Sequence, residues 1–236
     1  MESVGRGSKE RERRAAASEA VLGVVRTRFW AENLDRFLTD RARPNSRDQD
    51  YEDLTVDLNS LLYLRHGQSE ANLRGLMCGR HCDSRLTDFG REQTRVAAGI
   101  LRRTSLVGSI CVSPQHRAQE TAQIVNAVLS VPVVTIEDLA EWDVGSWDHQ
   151  PFASVRDEFL SSADPPGGET RTALVLRVKA ALDRCAAVSQ PALIVSHGGV
   201  WMAVQQILGL DANRSENAVP YKVQRQMNQW GVERLE

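Results

Sequence analysis

The chain has 236 residues, 42% of them hydrophobic and 25% charged, with a formal net charge of −2. That length fits one large domain, or one domain with an appendage, and the apolar content is enough for a buried core, which excludes a chain disordered throughout. No stretch approaches the roughly 20 consecutive apolar residues of a membrane span, and the near-neutral balance gives no general attraction to nucleic acid.

Residues 1–16 are rich in Arg, Glu, Gly and Ser and include the mixed-charge run Lys9 to Arg14. They read as a solvated tail and not as a secretory signal. Between Ala17 and Thr39, Val21, Val24, Val25, Phe29, Leu34, Phe37 and Leu38 recur at helical spacing. This predicts an amphipathic helix that must bury one face, either by docking on the main domain or against a partner or membrane surface. Polar residues 40–58, with Pro44 and Asn45, read as a linker. The expected organisation is therefore an extension over 1–58 and a domain over 59–236.

From Leu61 onward the texture changes. Leu61 to Leu64, Ser109 to Val112, Val131 to Ile136 and Ala192 to Val195 are short apolar runs of strand length. Such runs suit a sheet covered on both faces. Helical patterns lie between and after them: Val96, Ile100 and Leu101; Ala118, Ala122, Val125 and Leu129; Leu174, Val178, Ala181, Leu182 and Cys185; Val200, Val204 and Leu208. Alternation of this kind predicts a three-layer α/β sandwich with a mostly parallel central sheet. Ala218 to Leu235 reads as extended, adding a hairpin or an edge strand.

Polar residues follow each apolar run. Arg65-His66-Gly67 follows the first, Ser113 to Arg117 the second, Asp138 to Glu141 the third and Ser196-His197-Gly198-Gly199 the fourth. Ligands of open parallel sheets sit at the carboxyl ends of the strands, so two histidines, two arginines and a carboxylate are expected on one rim. Guanidinium forks fit phosphate oxygens, and glycines after the histidines let backbone N–H groups approach an anion. One imidazole can attack phosphorus, the second can donate to the transferring group, and a carboxylic acid can protonate the leaving oxygen. Trp142 and Trp147, close to Glu141 in sequence, offer an apolar setting for such an acid; Asp143 and Glu169 are the rival candidates. The arginines supply the positive field, so no metal or cofactor is expected.

The four cysteines, Cys78, Cys82, Cys111 and Cys185, are too few for a disulfide scaffold and point to a reducing, cytoplasmic setting. Cys78-x-x-His81-Cys82 falls short of the about four ligands of a zinc site. Packing or surface cysteines are the first reading, and a redox-sensitive loop beside the site is the second.

These residues resemble the histidine phosphatase superfamily, the phosphoglycerate-mutase-like proteins. Arg65-His66-Gly67-Gln68-Ser69-Glu70-Ala71-Asn72 is similar to its Arg-His-Gly-x-(Thr/Ser)-x-x-Asn signature. Leu86-Thr87 with Gly90, Ser113 to Ala122, Leu139-Ala140-Glu141 with Gly145 and Trp147, Pro165 to Thr170, and Ser196 to Gly199 resemble its later blocks, in the family's order. The resemblance covers about residues 59–210 and leaves the first 58 outside.

The resemblance implies a phosphorylated nucleophile at His66, a proton donor at Glu141, and Arg65, Arg117, His197 and Asn72 around the phosphate of a small phosphorylated substrate. The implied activity is metal-independent phosphomonoester hydrolysis through a phosphohistidine. A phosphoglycerate-type mutase and a non-catalytic phosphate-binding protein are the alternatives. The short interval between Glu141 and His197 favours hydrolysis, because a small lid excludes water poorly. The chain departs from the family pattern at Cys78, Cys82, Arg85 and Asp148-His149. Those departures bear on substrate preference. The physiological substrate and the oligomeric state are not legible in the sequence.

Overall fold

A computed structural model describes residues 56 and 58–236, save positions 105, 162, 212 and 228. The tail, the expected helix over 17–39 and nearly all of the 40–58 linker lie outside the described residues. Among the described residues, no helix is long and apolar enough to cross a membrane.

The elements run in the order β1 (Ser60–Arg65), α1 (Glu70–Arg74), α2 (Asp88–Thr104), β2 (Ser109–Val112), α3 (His116–Leu129), β3 (Val133–Thr135), two short 3-10 turns, α4 (Phe152–Leu160), α5 (Arg171–Ala186), β4 (Ala192–Ser196), α6 (Gly198–Leu208), β5 (Pro220–Gln226) and β6 (Gln229–Arg234). They form one six-stranded sheet in the order β3-β2-β4-β1-β5-β6. The first four of these strands are mutually parallel, and β5 and β6 continue the sheet as an antiparallel hairpin. The extended C-terminal reading thus resolves into that hairpin.

Side-chain alternation along the strands divides the core into two layers. Leu62, Leu64, Ile110, Val112, Leu193 and Val195 pack with Ala97, Ala98 and Leu101 of α2 and Ala118, Ala122 and Val125 of α3. On the opposite face Tyr63 meets Trp201 of α6, with ring centroids 4.7 Å apart, and Cys111 interacts with Cys185 of α5. Each fully buried Leu, Ile or Val stabilises the fold by roughly 1.5–3 kcal/mol. The result is the three-layer α/β sandwich expected from the alternation.

Two elements differ from the expectation. The buried stripe of α2 is Gly90, Thr94, Ala97, Ala98 and Leu101, and Val96 is 58% exposed. Small residues there let the helix lie close to the polypeptide at Gly67: a Cβ on Gly67 would overlap the Gly90 carbonyl, and one on Gly90 would overlap the Gln68 carbonyl. The third apolar run is also shorter than expected and lies at the sheet edge, where Val133 and Val134 are exposed. A strand paired on one side only has fewer neighbours to cover it.

Candidate active site

Strand register brings the site together. Arg65 at the end of β1 stands opposite Ser196 at the end of β4, and Val112 of β2 opposite Val195. The next residues leave the sheet at neighbouring points on one rim. The His66 N–H donates to the Ser196 carbonyl at 2.9 Å, and the Ser113 N–H to the Val195 carbonyl at 3.1 Å. The two histidine rings end with centroids 5.2 Å apart. Arg117, one residue into α3, is 1% exposed and reaches the same place.

The hydrogen bonds of His66 settle its tautomer. Its Nδ1 lies 2.8 Å from the Gly67 carbonyl, which can only accept, so Nδ1 carries the proton. Its Nε2 accepts from the Arg117 Nε–H at 3.2 Å and is therefore the nitrogen with the lone pair. Burial first, then the charges of Arg117 and Arg65, hold His66 well below the usual histidine range. Both influences favour the neutral ring, the form a nucleophile needs.

His197 caps the N-terminus of α6 and receives the Tyr63 hydroxyl on its carbonyl at 2.6 Å. Its Nε2 lies 2.7 Å from Ser113 Oγ, which also accepts from the Gln115 N–H. In the tautomer in which the Ser113 hydroxyl donates to His197 Nε2, the His197 proton sits on Nδ1, which is buried without a hydrogen-bond partner. Burial, followed by the charge of Arg117, holds His197 low as well.

Burial pushes Arg117 down to about 10, so it stays charged at neutral pH. Its fork is taken up by loop carbonyls. Nη1 donates to the Cys82 carbonyl at 2.9 Å, and Nη2 to those of Cys78 and Gly79 at 3.3 and 3.4 Å. Arg65 donates from Nη1 to the Ser215 carbonyl at 3.1 Å, while its Nε is buried without a partner. Buried donors of this kind are costly unless something accepts from them. Arg65 Nε and, in that tautomer, His197 Nδ1 are two such donors on the rim.

Glu141 sits at the N-terminus of α6. Its Oε1 accepts from the Trp142 N–H at 2.8 Å and from the Gly199 N–H at 3.0 Å, and Oε2 has only the longer 3.3 Å bond from Gly199. A Cβ on Gly199 would overlap Oε1, so glycine at this position makes room for the carboxylate. Gln115 fixes the loop: Oε1 takes the Glu141 N–H at 2.7 Å while Nε2 donates to the carbonyls of Gly79 and Arg80. The rival acids have other partners. Glu169 is held by Arg177 through two bonds of 2.8 and 2.7 Å, and Asp143 accepts from the Gly145 N–H and faces His81 at 3.3 Å.

At Gly67 and Gly199 the glycine N–H groups expected to approach an anion have protein partners instead. The Gly67 N–H donates to Thr121 Oγ1 at 3.2 Å and the Gly199 N–H holds Glu141, so both serve the protein's own groups. Asn72 lies beside the rim, where its Oδ1 closes the capping box of α1 with Ser69 and accepts from Asn217 Nδ2 at 3.1 Å. The cysteine reading also needs correction: Cys78 and Cys82 are joined in a disulfide, and Cys111 and Cys185 are free and buried.

Sequence reasoning passed over three residues that position the site. Asn217 ties the His66 carbonyl to Asn72 through bonds of 2.8 and 3.1 Å. Gln115 stood inside a recognised run with no role. Arg177 donates to the carbonyls of Asp138 and Ala140 at 2.7 and 2.9 Å, bracing the strand-end loop that carries Glu141. An arginine among the polar residues of a helix gives no signal of that task in sequence.

The family model of the histidine phosphatase superfamily, branch 1, matches residues 61–235. The chain belongs to this superfamily. It is 36% identical over 148 residues to a protein of Mycobacterium tuberculosis described as bifunctional protein Rv2228c, covering 58% of this chain and 40% of that one. The chain thus spans well under half the length of this mycobacterial relative. It is 33% identical over 152 residues to the adenosylcobalamin/alpha-ribazole phosphatase of Salmonella typhimurium, covering 59% of this chain and 74% of that enzyme. The crystal structure of the alpha-ribazole phosphatase from Shigella flexneri superposes with a TM-score of 0.62 at 27% identity, over 75% of this chain and 95% of that one.

The two depressed histidines make stability depend on pH with a definite sign. A folded-state value below the unfolded one means that the unfolded chain binds more protons between the two values, so stability rises with pH there. Stability is expected to be full above about pH 6.5 and to fall as pH drops below it, by at most ~1.4 kcal/mol per pH unit for each ring. Urea unfolding at several pH values between neutrality and mild acid measures this. A flat profile would contradict the neutral, buried assignment of the pair.

Proposed function

We propose that residues 59–236 form a metal-independent phosphomonoester hydrolase that works through a phosphohistidine on His66, with residues 1–58 as an appended extension. The observation that carries this reading is the locked tautomer of His66: Nδ1–H on a carbonyl, and Nε2 turned to the Arg117 guanidinium. The substrate is a small phosphorylated molecule; the Salmonella relative is named as acting on alpha-ribazole compounds.

The phosphoryl group of the substrate enters between Arg65, Arg117 and the two histidines. Its oxygens accept from Arg65 Nε–H and His197 Nδ1–H, the buried donors that lack partners. The Arg117 Nε–H moves from His66 Nε2 to a phosphate oxygen, which frees the lone pair to attack phosphorus. Three cationic or N–H groups then face the charge that develops in the transition state. The Nε2–P bond forms as the P–O bond to the leaving group breaks, and Glu141 gives its proton to that oxygen. Oε2 is the carboxyl oxygen with the fewer bonds and so the one placed to carry the proton. In the second half-reaction the Glu141 carboxylate takes a proton from water, whose oxygen displaces His66 from phosphorus. Asn72 and Asn217 position the His66 turn.

The test is phosphate release from an aryl phosphate by the full chain in excess chelator. Turnover that survives chelation supports the proposal. Turnover that requires an added divalent ion would overturn the metal-free mechanism.

A further inference from the structure

Loop 77–82 and segment 148–151 lie side by side, held by two main-chain bonds and one main-chain to carboxylate bond, none of which involves sulfur. The Met77 N–H donates to the Gln150 carbonyl at 2.8 Å, the His149 N–H to the Met77 carbonyl at 3.0 Å, and the Gly79 N–H to Asp148 Oδ1 at 2.9 Å. Within this frame Cys82 Sγ, an Asp148 carboxylate oxygen and a His149 ring nitrogen all lie within 4.8 Å of one another. Cys78 Sγ is bonded to Cys82 Sγ, so a second sulfur stands at the same place.

Two sulfurs, an imidazole and a carboxylate can make up the donor set of a tetrahedral zinc site, and the Cys78-x-x-x-Cys82 spacing falls within the range of about two to four intervening residues usual for paired zinc cysteines. Asp148 Oδ1 is occupied by the Gly79 N–H and, at 3.2 Å, the His149 N–H, which leaves Oδ2 to ligate. His149 is exposed and so reachable from solvent, and its backbone is in the left-handed region at φ 62°. Backbone of this kind clusters at functional positions. In the disulfide form neither sulfur is a thiolate, and the set lacks its strongest donors.

We propose that reduction of the Cys78–Cys82 bond creates a site for a thiolate-binding divalent cation of the zinc class, completed by Asp148 and His149. A dithiol supplies two electrons and two protons. The S–S bond breaks, each cysteine becomes a thiol, and the reductant leaves as its own disulfide. Binding of the cation releases the two thiol protons, and each sulfur forms a bond to the metal as thiolate. The site adjoins the catalytic rim, since the carbonyls of Cys78, Gly79 and Cys82 are the ones that receive the Arg117 fork.

The experiment uses the full chain, reduced with a non-chelating phosphine that is then removed under argon. A thiol titration verifies that the reduced protein has gained the Cys78 and Cys82 thiols. Cobalt(II) serves as the probe. The expected result is about one equivalent bound per reduced chain, with thiolate-to-cobalt charge-transfer absorption and tetrahedral ligand-field bands, displaced by zinc. The oxidised chain is expected to show neither. Cys82→Ser should abolish the charge-transfer band from this site, and His149→Asn, an exposed change that leaves the core intact, should weaken binding at least ~10-fold. A fully reduced chain without the band would overturn the proposal. So would a band unchanged in Cys82→Ser, which would place the metal on Cys111 and Cys185, or binding unaffected by His149→Asn.

Discussion

His66→Ala is expected to lower phosphate release from an aryl phosphate by at least about 10⁴-fold, since in the proposed mechanism it removes the nucleophile, for which no neighbour substitutes. His197 cannot take over. Its Nε2 is engaged by Ser113, and its backbone is fixed as the cap of α6. The His66 ring is 2% exposed, so alanine leaves a cavity and costs stability as well. Cooperative thermal unfolding of the purified variant separates loss of chemistry from loss of fold. Residual turnover within tenfold of the parent chain, with the fold intact, would exclude His66 as the nucleophile.

Glu141→Gln is expected to depend on the leaving group. Glutamine keeps an oxygen for the Trp142 and Gly199 N–H groups, so the loop stays in place, but it has no acidic proton to give. With an alkyl phosphate, whose leaving oxygen needs that proton, the rate should fall by ~10²–10⁴-fold. With a nitrophenyl phosphate, which leaves readily as the anion, the fall in the first step should be far smaller. A plot of rate against leaving-group acidity should therefore steepen in the variant. An equal loss for both substrates would assign Glu141 to positioning and not to proton transfer.

The parts of this site that were legible in sequence are those set by strand ends. A short apolar run followed by charged and polar residues marks where a buried strand must emerge. Arg65, His66 and His197 were found that way, and the register of β1 against β4 places them together. Arg117 and Glu141 follow the second and third runs in the same way, and the resemblance of the ordered blocks supports them as well. Side-chain direction was less legible. The Arg117 fork turns inward to loop carbonyls, which depends on where the 78–82 loop closes, and local spacing says nothing of that. Val96 fits a helical repeat as well as Ala97 does, but the close approach of α2 at Gly90 selects the small residues for the buried side. The Cys78–Cys82 bond depends on a Cα separation of 5.1 Å that the loop alone determines. Arg177 and Asn217 act across 37 to 151 positions of chain, beyond any local pattern.

The central claim is that His66 Nε2 takes the phosphoryl group, and acid–base mapping of the trapped phosphoenzyme tests it most directly. The enzyme is mixed with a radiolabelled phosphomonoester, quenched in alkali within the first turnover, and digested. The expected label is stable in alkali and lost in acid, as a phosphoramidate is, and lies on the peptide that contains His66. Label that survives acid, or label on the peptide that contains His197, would contradict it.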